Sequence, residues 1–129
     1  MATFLLDTSV IIDAINDRKN RRELLRGLLQ SGNALACCSV NVAEVYAGVR
    51  PKEEASTAAF LRALDYYPIS FATSQLAGEL KRDFGKKGTT LSLTDTLIAA
   101  VALNHRLSLI TDNTKDFPVP GLSLYPLPK

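Results

Sequence analysis

Histidine and cysteine are scarce in this sequence of 129 residues, which has one histidine and two cysteines. The two cysteines, Cys37 and Cys38, are neighbours. On a strand their side chains would point to opposite faces, so an ordinary disulfide between them is unfavourable. We therefore interpret both as small buried residues of a reduced protein. With so few nitrogen and sulfur ligands, the sequence argues against a zinc site.

Long apolar runs and a large net charge are also absent. No apolar stretch approaches the roughly 20 residues that a membrane helix needs, and the beginning of the chain lacks the pattern of a secretory signal. We therefore expect a cytoplasmic protein without a membrane segment. The formal net charge of +2 neither requires nor forbids a nucleic-acid partner. A composition that is 47% hydrophobic and 22% charged indicates a folded chain, and its length predicts one domain, residues 1–129.

Short apolar segments alternate with helical patterns along the chain. We predict strands at residues 3–7, 34–38, 107–110 and 122–125, with a turn or a brief strand at 67–71. Helices are predicted at residues 9–16, 17–30, 40–48, 51–65, 74–84 and 93–104. Strands that alternate with helices favour an α/β fold, in which helices cover both faces of a short, mostly parallel central sheet.

Three carboxylates stand alone in apolar segments. Asp7 ends the first predicted strand and is the only charged residue among the first twelve. Glu44 is the only charged residue within 27–49, and Asp95 is the only one within 88–105 when the histidine is neutral. An ionised carboxylate in such surroundings costs several kcal/mol unless it is paired, hydrogen-bonded or bound to a metal.

Each of these acids also has a structural interpretation. Asp95 forms a capping box with Ser92, and Asp7 can accept hydrogen bonds from the turn after its strand. Together, however, a strand end and two helix starts can converge at the carboxyl edge of a parallel sheet, where such sheets bind ligands. Because clustered carboxylates need a compensating cation, and because the donors are all oxygens, the pattern indicates Mg²⁺, with Mn²⁺ as the alternative.

The segment after the fourth predicted strand would lie at the same edge. It offers Asp112, Asn113 and Asp116 as further oxygen ligands. It also offers the hydroxyl of Thr111 and, in Lys115, a contact for phosphate. The alternative interpretation of this segment is a polar surface turn.

Four segments resemble the sequence blocks of the PIN-domain family, and more narrowly those of the VapC toxins of bacterial toxin–antitoxin pairs. They are residues 5–9 (LLDTS), 42–48 (VAEVYAG), 93–100 (LTDTLIAA) and 110–117 (ITDNTKDF). The resemblance implies a PIN-like three-layer sandwich and a Mg²⁺-dependent endoribonuclease that cleaves RNA with a metal-activated water. It also implies three partners, namely an RNA substrate, a neutralising antitoxin of the VapB type and a second copy in a homodimer.

The same resemblance assigns roles to individual residues. Asp7, Glu44 and Asp95 match the three core acids of the family, which would bind the metal and act in catalysis. The family's fourth acid falls near Asn113 or Asp116; we favour Asp116, with Asp112 in reserve. Other polar groups are candidates for orienting the carboxylates or bound waters, with Ser9 preferred, followed by Thr8, Asn41, Thr111, Asn113 and Asp112.

Other functional classes fit the sequence less well. A receiver-type signalling domain needs an acidic pair after its first strand, and Asp7 has no acidic neighbour. A phosphatase of the haloacid dehalogenase type needs a second aspartate where Ser9 stands, and the Asp-x-Ser-x-Ser pattern of metal-dependent adhesion modules ends at Ile11. The main alternative is a PIN fold that binds RNA or protein without cleaving it.

Two surfaces are open to more than one interpretation. Apolar residues on the helices between 51 and 84 suit either a docking surface for the antitoxin or a second copy, or ordinary packing; they are Phe60, Leu61, Leu64, Leu76 and Leu80. Basic residues on the second helix suit a solvated face, which we prefer, or RNA contacts; they are Arg18, Lys19, Arg21, Arg22 and Arg26.

Overall fold

A computed structural model describes residues 1–128, in which five strands form a parallel sheet in the order β3-β2-β1-β4-β5. The strands are β1 (Thr3–Leu6), β2 (Ala34–Cys38), β3 (Asp65–Tyr67), β4 (Ser108–Thr111) and β5 (Ser123–Pro126). The strand order reverses at β1. The carboxyl ends of β1 and β4 therefore flank the crevice in which open α/β sheets bind ligands.

Six α-helices cover the two faces of this sheet. They are α1 (Thr8–Ile15), α2 (Arg21–Gln30), α3 (Ser39–Ala47), α4 (Glu54–Arg62), α5 (Phe71–Lys86) and α6 (Leu93–His105), with short 3₁₀ turns at Pro51–Glu53 and Thr114–Asp116. Successive strand residues point to opposite faces. Leu6 therefore packs in a core with residues of α1, α2 and α4, whereas Leu5 packs in a second core with α6. The prediction of a three-layer α/β sandwich with a parallel sheet is confirmed.

The predicted second helix is wrong over its first four residues, because α2 begins at Arg21. Asp17, Lys19 and Asn20 have φ values of 54°, 55° and 56°. This left-handed conformation cannot continue a right-handed helix. A turn therefore separates α1 from α2.

The boundaries of α5 and of the strand before it also differ from the prediction. Ser70 caps α5 by accepting a hydrogen bond from the Thr73 amide at 3.1 Å, so the helix begins earlier than expected. It continues to Lys86, two residues beyond the predicted end at 84. The brief strand lies at Asp65–Tyr67 and pairs with β2.

The apolar residues of α4 and α5 do not form one continuous surface. Leu61 is buried, and Phe60 and Leu64 pack against the same core. Leu80 packs against the core on the other face of the sheet. Four of the five apolar side chains therefore take part in core packing, and they do so on two different faces of the sheet. No helix within residues 1–128 has both the length and the apolar character needed to cross a membrane.

Candidate active site

Asp7 directly follows β1 and is 8% exposed. Its Oδ1 accepts a hydrogen bond from the Thr8 amide at 2.9 Å, and its Oδ2 accepts one from the Thr111 hydroxyl at 2.8 Å. Burial raises the pKa of Asp7, these hydrogen bonds oppose the rise, and the charges of Asp95 and Asp112 add to it. The carboxylate is thus held in one orientation by α1 and β4, at a place where its charge is disfavoured.

Glu44, on α3, is linked to the start of α1 by a chain of hydrogen bonds. The Thr8 hydroxyl donates to Glu44 Oε1 at 2.6 Å. Asn41 Nδ2 donates to Thr8 Oγ1 at 3.0 Å, while Asn41 Oδ1 accepts from the Cys38 amide at 2.8 Å. Because Asn41 donates to the Thr8 oxygen, the single hydroxyl proton is left to point at Glu44. We call these four residues the Asn41 chain.

Asp95 lies in the first turn of α6, where Ser92 caps the helix by accepting from the Asp95 amide at 3.1 Å. Burial raises the pKa of Asp95, the Ser92 hydrogen bond opposes the rise, and the charges of Asp116 and Glu44 add to it. The acids predicted from the sequence are therefore close enough to act on one another electrostatically, although they come from four separate parts of the chain.

The loop after β4 places its two aspartates differently. Asp112 accepts from the Ser9 hydroxyl at 3.2 Å and lies 3.6 Å from Lys19 Nζ and 3.9 Å from Arg21 Nη2. Asp116 is exposed, in the short turn Thr114–Asp116, and acts on Asp95.

Asn113 is also exposed, and its amide donates to the Thr111 hydroxyl at 3.0 Å. Its backbone therefore supports the hydroxyl that holds Asp7.

Sequence reasoning missed the part that Arg21 takes in this site. Arg21 was grouped with a solvated helix face, but it is 2% exposed and its Nη1 donates to the Pro128 carbonyl at 3.1 Å. No local pattern distinguishes it from the exposed Arg22 beside it. Its burial depends on the turn before α2 and on the end of the chain packing over it.

Comparison with known families identifies the fold. The model of the PIN domain family matches residues 4–119. This chain belongs to the PIN-domain family. The PIN domain is similar to Ribonuclease VapC2 of Rickettsia felis, with 29% identity over 127 residues that cover 94% of this chain and 95% of the relative. It is 30% identical to Ribonuclease VapC2 of Haemophilus influenzae over 125 residues, covering 91% of each chain.

Solved structures are similar to this PIN domain over almost its whole length. One is VapBC2 of Rickettsia felis bound to a DNA fragment from its promoter, with a TM-score of 0.85, 26% identity and coverage of 96% of this chain and 98% of that chain. Another is a toxin–antitoxin complex from Klebsiella pneumoniae, with a TM-score of 0.73, 29% identity and coverage of 98% and 100%. The resemblance stated from the four sequence blocks is confirmed.

The donors at the carboxyl edge of this PIN domain suit a hard divalent cation. Within residues 1–128, no three His, Cys, Asp or Glu side chains form a ready-made metal cluster. The available donors are nevertheless oxygens, and mutual repulsion contributes to the raised pKa values of Asp7 and Asp95, which a cation would relieve. Mg²⁺ typically binds through one or two carboxylates and keeps several waters, so it does not need a complete protein cage.

Proposed function

We propose that this PIN domain, residues 1–129, is a metal-dependent endoribonuclease of the VapC type. The observation that carries the proposal is the gathering of carboxylates around the carboxyl end of β1. Thr8, which follows Asp7, donates to Glu44 at 2.6 Å, Ser9 donates to Asp112 at 3.2 Å, and the charge of Asp95 acts on Asp7. Relatives that are 29–30% identical over most of the chain are named ribonucleases, which confirms the prediction of a nuclease. They favour it over a PIN fold that only binds RNA or protein.

The metal would be held by Asp7, Glu44, Asp95 and Asp116, with Mg²⁺ preferred and Mn²⁺ as the alternative. Asp116 is our choice for the fourth acid because it acts on Asp95, whereas Asp112 already lies against two cations. A bound divalent cation would supply an activated water and stabilise negative charge at the scissile phosphate.

The protein's own residues orient the acids. Thr111 and the Thr8 amide fix the Asp7 carboxylate, and the Asn41 chain fixes Glu44. Each carboxylate oxygen can accept more than one hydrogen bond or ligand, so these contacts orient the acids without using all their lone pairs. Ser9 holds Asp112 and thereby places the loop that carries Asp116.

The proposed partners follow from the relatives. Structures similar to this chain are VapBC toxin–antitoxin complexes. We therefore include a VapB-type antitoxin that neutralises the nuclease, and a homodimer as its assembly. The cytoplasm is the proposed compartment because it contains the RNA substrate.

Cleavage of total cellular RNA, with Mg²⁺ or with EDTA, tests the proposed function. Asp7→Asn should reduce the metal-dependent cleavage rate by at least about 100-fold, because it removes a metal-binding charge. The fold should persist, since the asparagine oxygen can accept from the Thr8 amide and the Thr111 hydroxyl can turn to accept from the new amide group.

Asp17→Asn is the matched control, because Asp17 undergoes the same chemical change in the turn after α1, where its side chain is 68% exposed. It should cleave as the wild type does. Unchanged cleavage by Asp7→Asn would refute the assigned site. A folded wild type that cleaves no RNA with Mg²⁺ or Mn²⁺ would favour the binding-only alternative.

A further inference from the structure

A pocket adjoins the acids of the candidate site, between the turn before α2 and the loop after β4. It has a volume of about 600 Å³ and is lined by Lys19, Arg21, Asp112, Asn113, Thr114 and Lys115. Three of these side chains are cations, and Asp112 is the single acid among them. The pocket borders the proposed metal site, because Ser9 beside Asp7 donates to Asp112. We call it the Lys19–Lys115 pocket.

The cations of this pocket are loosely paired. Lys19 Nζ lies 3.6 Å from Asp112 and 3.7 Å from Asp13, and the lysine side chain is 59% exposed. Both separations exceed ordinary hydrogen-bond lengths, and exposed pairs of this kind contribute little to stability. Lys115, in the loop after β4, is exposed and lines the same pocket. Both lysines can therefore turn toward an incoming anion at small cost.

Arg21 supplies a fixed charge at the buried end of the pocket. Its Nη2 is 3.9 Å from Asp112, and its buried Nε has no hydrogen-bond partner within residues 1–128. A buried guanidinium whose nearest carboxylate among residues 1–128 lies this far away gains from a further negative charge nearby. The pocket thus combines one immobile cation with two mobile ones, next to the Thr114 hydroxyl and the side-chain amide of Asn113 as hydrogen-bond donors.

We infer that the Lys19–Lys115 pocket is a subsite for an RNA backbone phosphate that flanks the scissile phosphate. The inference rests on the proposed nuclease function. Several carboxylates lie where the scissile phosphate of the RNA must bind, and their charges repel the neighbouring phosphates of the RNA backbone. An RNA backbone therefore needs cationic contacts immediately beside them. An acidic protein segment could bind to the same cations. We favour RNA because the pocket adjoins the carboxylates, so an RNA chain bound at the proposed metal site would extend into it.

Binding of single-stranded RNA to lysine variants tests the subsite. The variants are Lys19→Gln, Lys115→Gln and their combination. Arg106→Gln is the matched control, since Arg106 is exposed at the other edge of the sheet, between α6 and β4, and has a φ of 56° against 55° for Lys19. The control therefore loses the same charge from the same backbone conformation as Lys19→Gln.

The probe is a fluorescein-labelled RNA of about 20 nucleotides, long enough to span a typical single-strand site. Fluorescence anisotropy in EDTA, which prevents cleavage, gives Kd across a KCl series. A phosphate contact contributes a slope of about 0.7 in log Kd against log salt, so each single lysine variant should bind about fivefold more weakly at 0.1 M salt and reduce the slope by about 0.7. The combined variant should bind about 25-fold more weakly and reduce the slope by about 1.4. Arg106→Gln should match the wild type.

The outcomes separate the subsite from the nuclease activity. In cleavage assays with Mg²⁺, the lysine variants should raise KM and leave kcat unchanged, which supports the subsite. Unchanged Kd and salt slope in all three lysine variants would refute the subsite even if the wild type cleaves RNA. Unchanged RNA binding with weakened binding of a polyglutamate peptide would refute it in favour of an acidic protein partner. If the wild type fails to cleave but the variants lose RNA affinity as expected, the pocket binds an RNA phosphate, whereas the nuclease proposal and the placement beside a scissile phosphate are both refuted.

Discussion

Replacing Asn41 with alanine would test how the structure orients Glu44. Asn41 is fully buried and makes two hydrogen bonds, accepting from the Cys38 amide at 2.8 Å and donating to Thr8 Oγ1 at 3.0 Å. Thr8 in turn donates to Glu44 at 2.6 Å. Alanine is favourable in a helix, so the substitution removes these contacts without opposing α3 itself.

The expected loss of stability follows from the groups left without partners. A buried amide such as that of Cys38 costs about 1–3 kcal/mol when it is unsatisfied, and loss of the hydrogen bond from Asn41 to Thr8 Oγ1 adds about 1 kcal/mol. We expect the free energy of unfolding to fall by about 3 kcal/mol. For 129 residues the unfolding entropy is about 0.27 kcal/mol/K, so Tm should fall by about 11 °C.

The loss of activity has a separate cause. Without Asn41, Thr8 is free to turn away from Glu44, and the cleavage rate should fall about 10–100-fold, as for other residues that orient metal ligands. Thr8→Val is the comparison variant: it removes the hydroxyl that reaches Glu44 but keeps the bond between Asn41 and the Cys38 amide. It should lose similar activity and less stability.

Differential scanning calorimetry and single-turnover RNA cleavage, below the Tm of every variant, provide the two measurements. The double variant should be no less active than Asn41→Ala, because both substitutions break the same connection. A folded Asn41→Ala protein that cleaves at the wild-type rate would refute the reasoning. So would a fully active Thr8→Val protein alongside an impaired Asn41→Ala protein, since Asn41 would then not act through Thr8.

Two further predictions concern metal binding and the cysteines. Mg²⁺ or Mn²⁺ at ten times its Kd should add about 1.4 kcal/mol to the free energy of unfolding and raise the wild-type Tm by about 5 °C. In scanning fluorimetry, Asp7→Asn should lose most of this shift. Equal shifts in the two proteins would contradict a metal site that contains Asp7. Burial raises the pKa of Cys37 to about 11. At about pH 8.5 iodoacetamide should therefore modify Cys37 in the native protein far more slowly than in urea, and equal rates by mass spectrometry would contradict the burial of its thiol.

The sheet was predictable because buried parallel strands have a simple signature. β2 lies where it was predicted, β1 ends one residue earlier, and β4 begins and ends one residue later. Short apolar runs flanked by polar residues are typical of buried strands in an α/β chain. The turn before α2 was not predictable, because lysine and arginine favour helices. There the Arg18 amide donates to the Asp13 carbonyl at 2.7 Å, and Arg22 donates to the Ala14 and Ile15 carbonyls, so hydrogen bonds to α1 hold a turn in which three residues have positive φ.

The acids of the candidate site were predictable for a different reason. An isolated carboxylate in an apolar segment costs free energy, so its presence indicates a partner outside the local sequence. This reasoning selected Asp7, Glu44 and Asp95 without knowledge of their distances. The preference for Asp116 over Asp112 came from the family resemblance and not from this reasoning. The surroundings that distinguish the two acids depend on Lys19 and Arg21, which come from a distant part of the chain and are placed by a turn that the sequence does not predict.

Asp112 also explains why the overall charge of the protein says little about its partner. Through Ser9 it adjoins the acids, which suit a divalent cation, and through Lys19 and Arg21 it adjoins cations, which suit a phosphate. A phosphodiester that undergoes metal-assisted hydrolysis needs both environments side by side. Opposite charges that are separated in space still cancel in a sum, so a net charge of +2 is compatible with a strongly polarised binding edge. The relevant quantity is the arrangement of charge around Asp112.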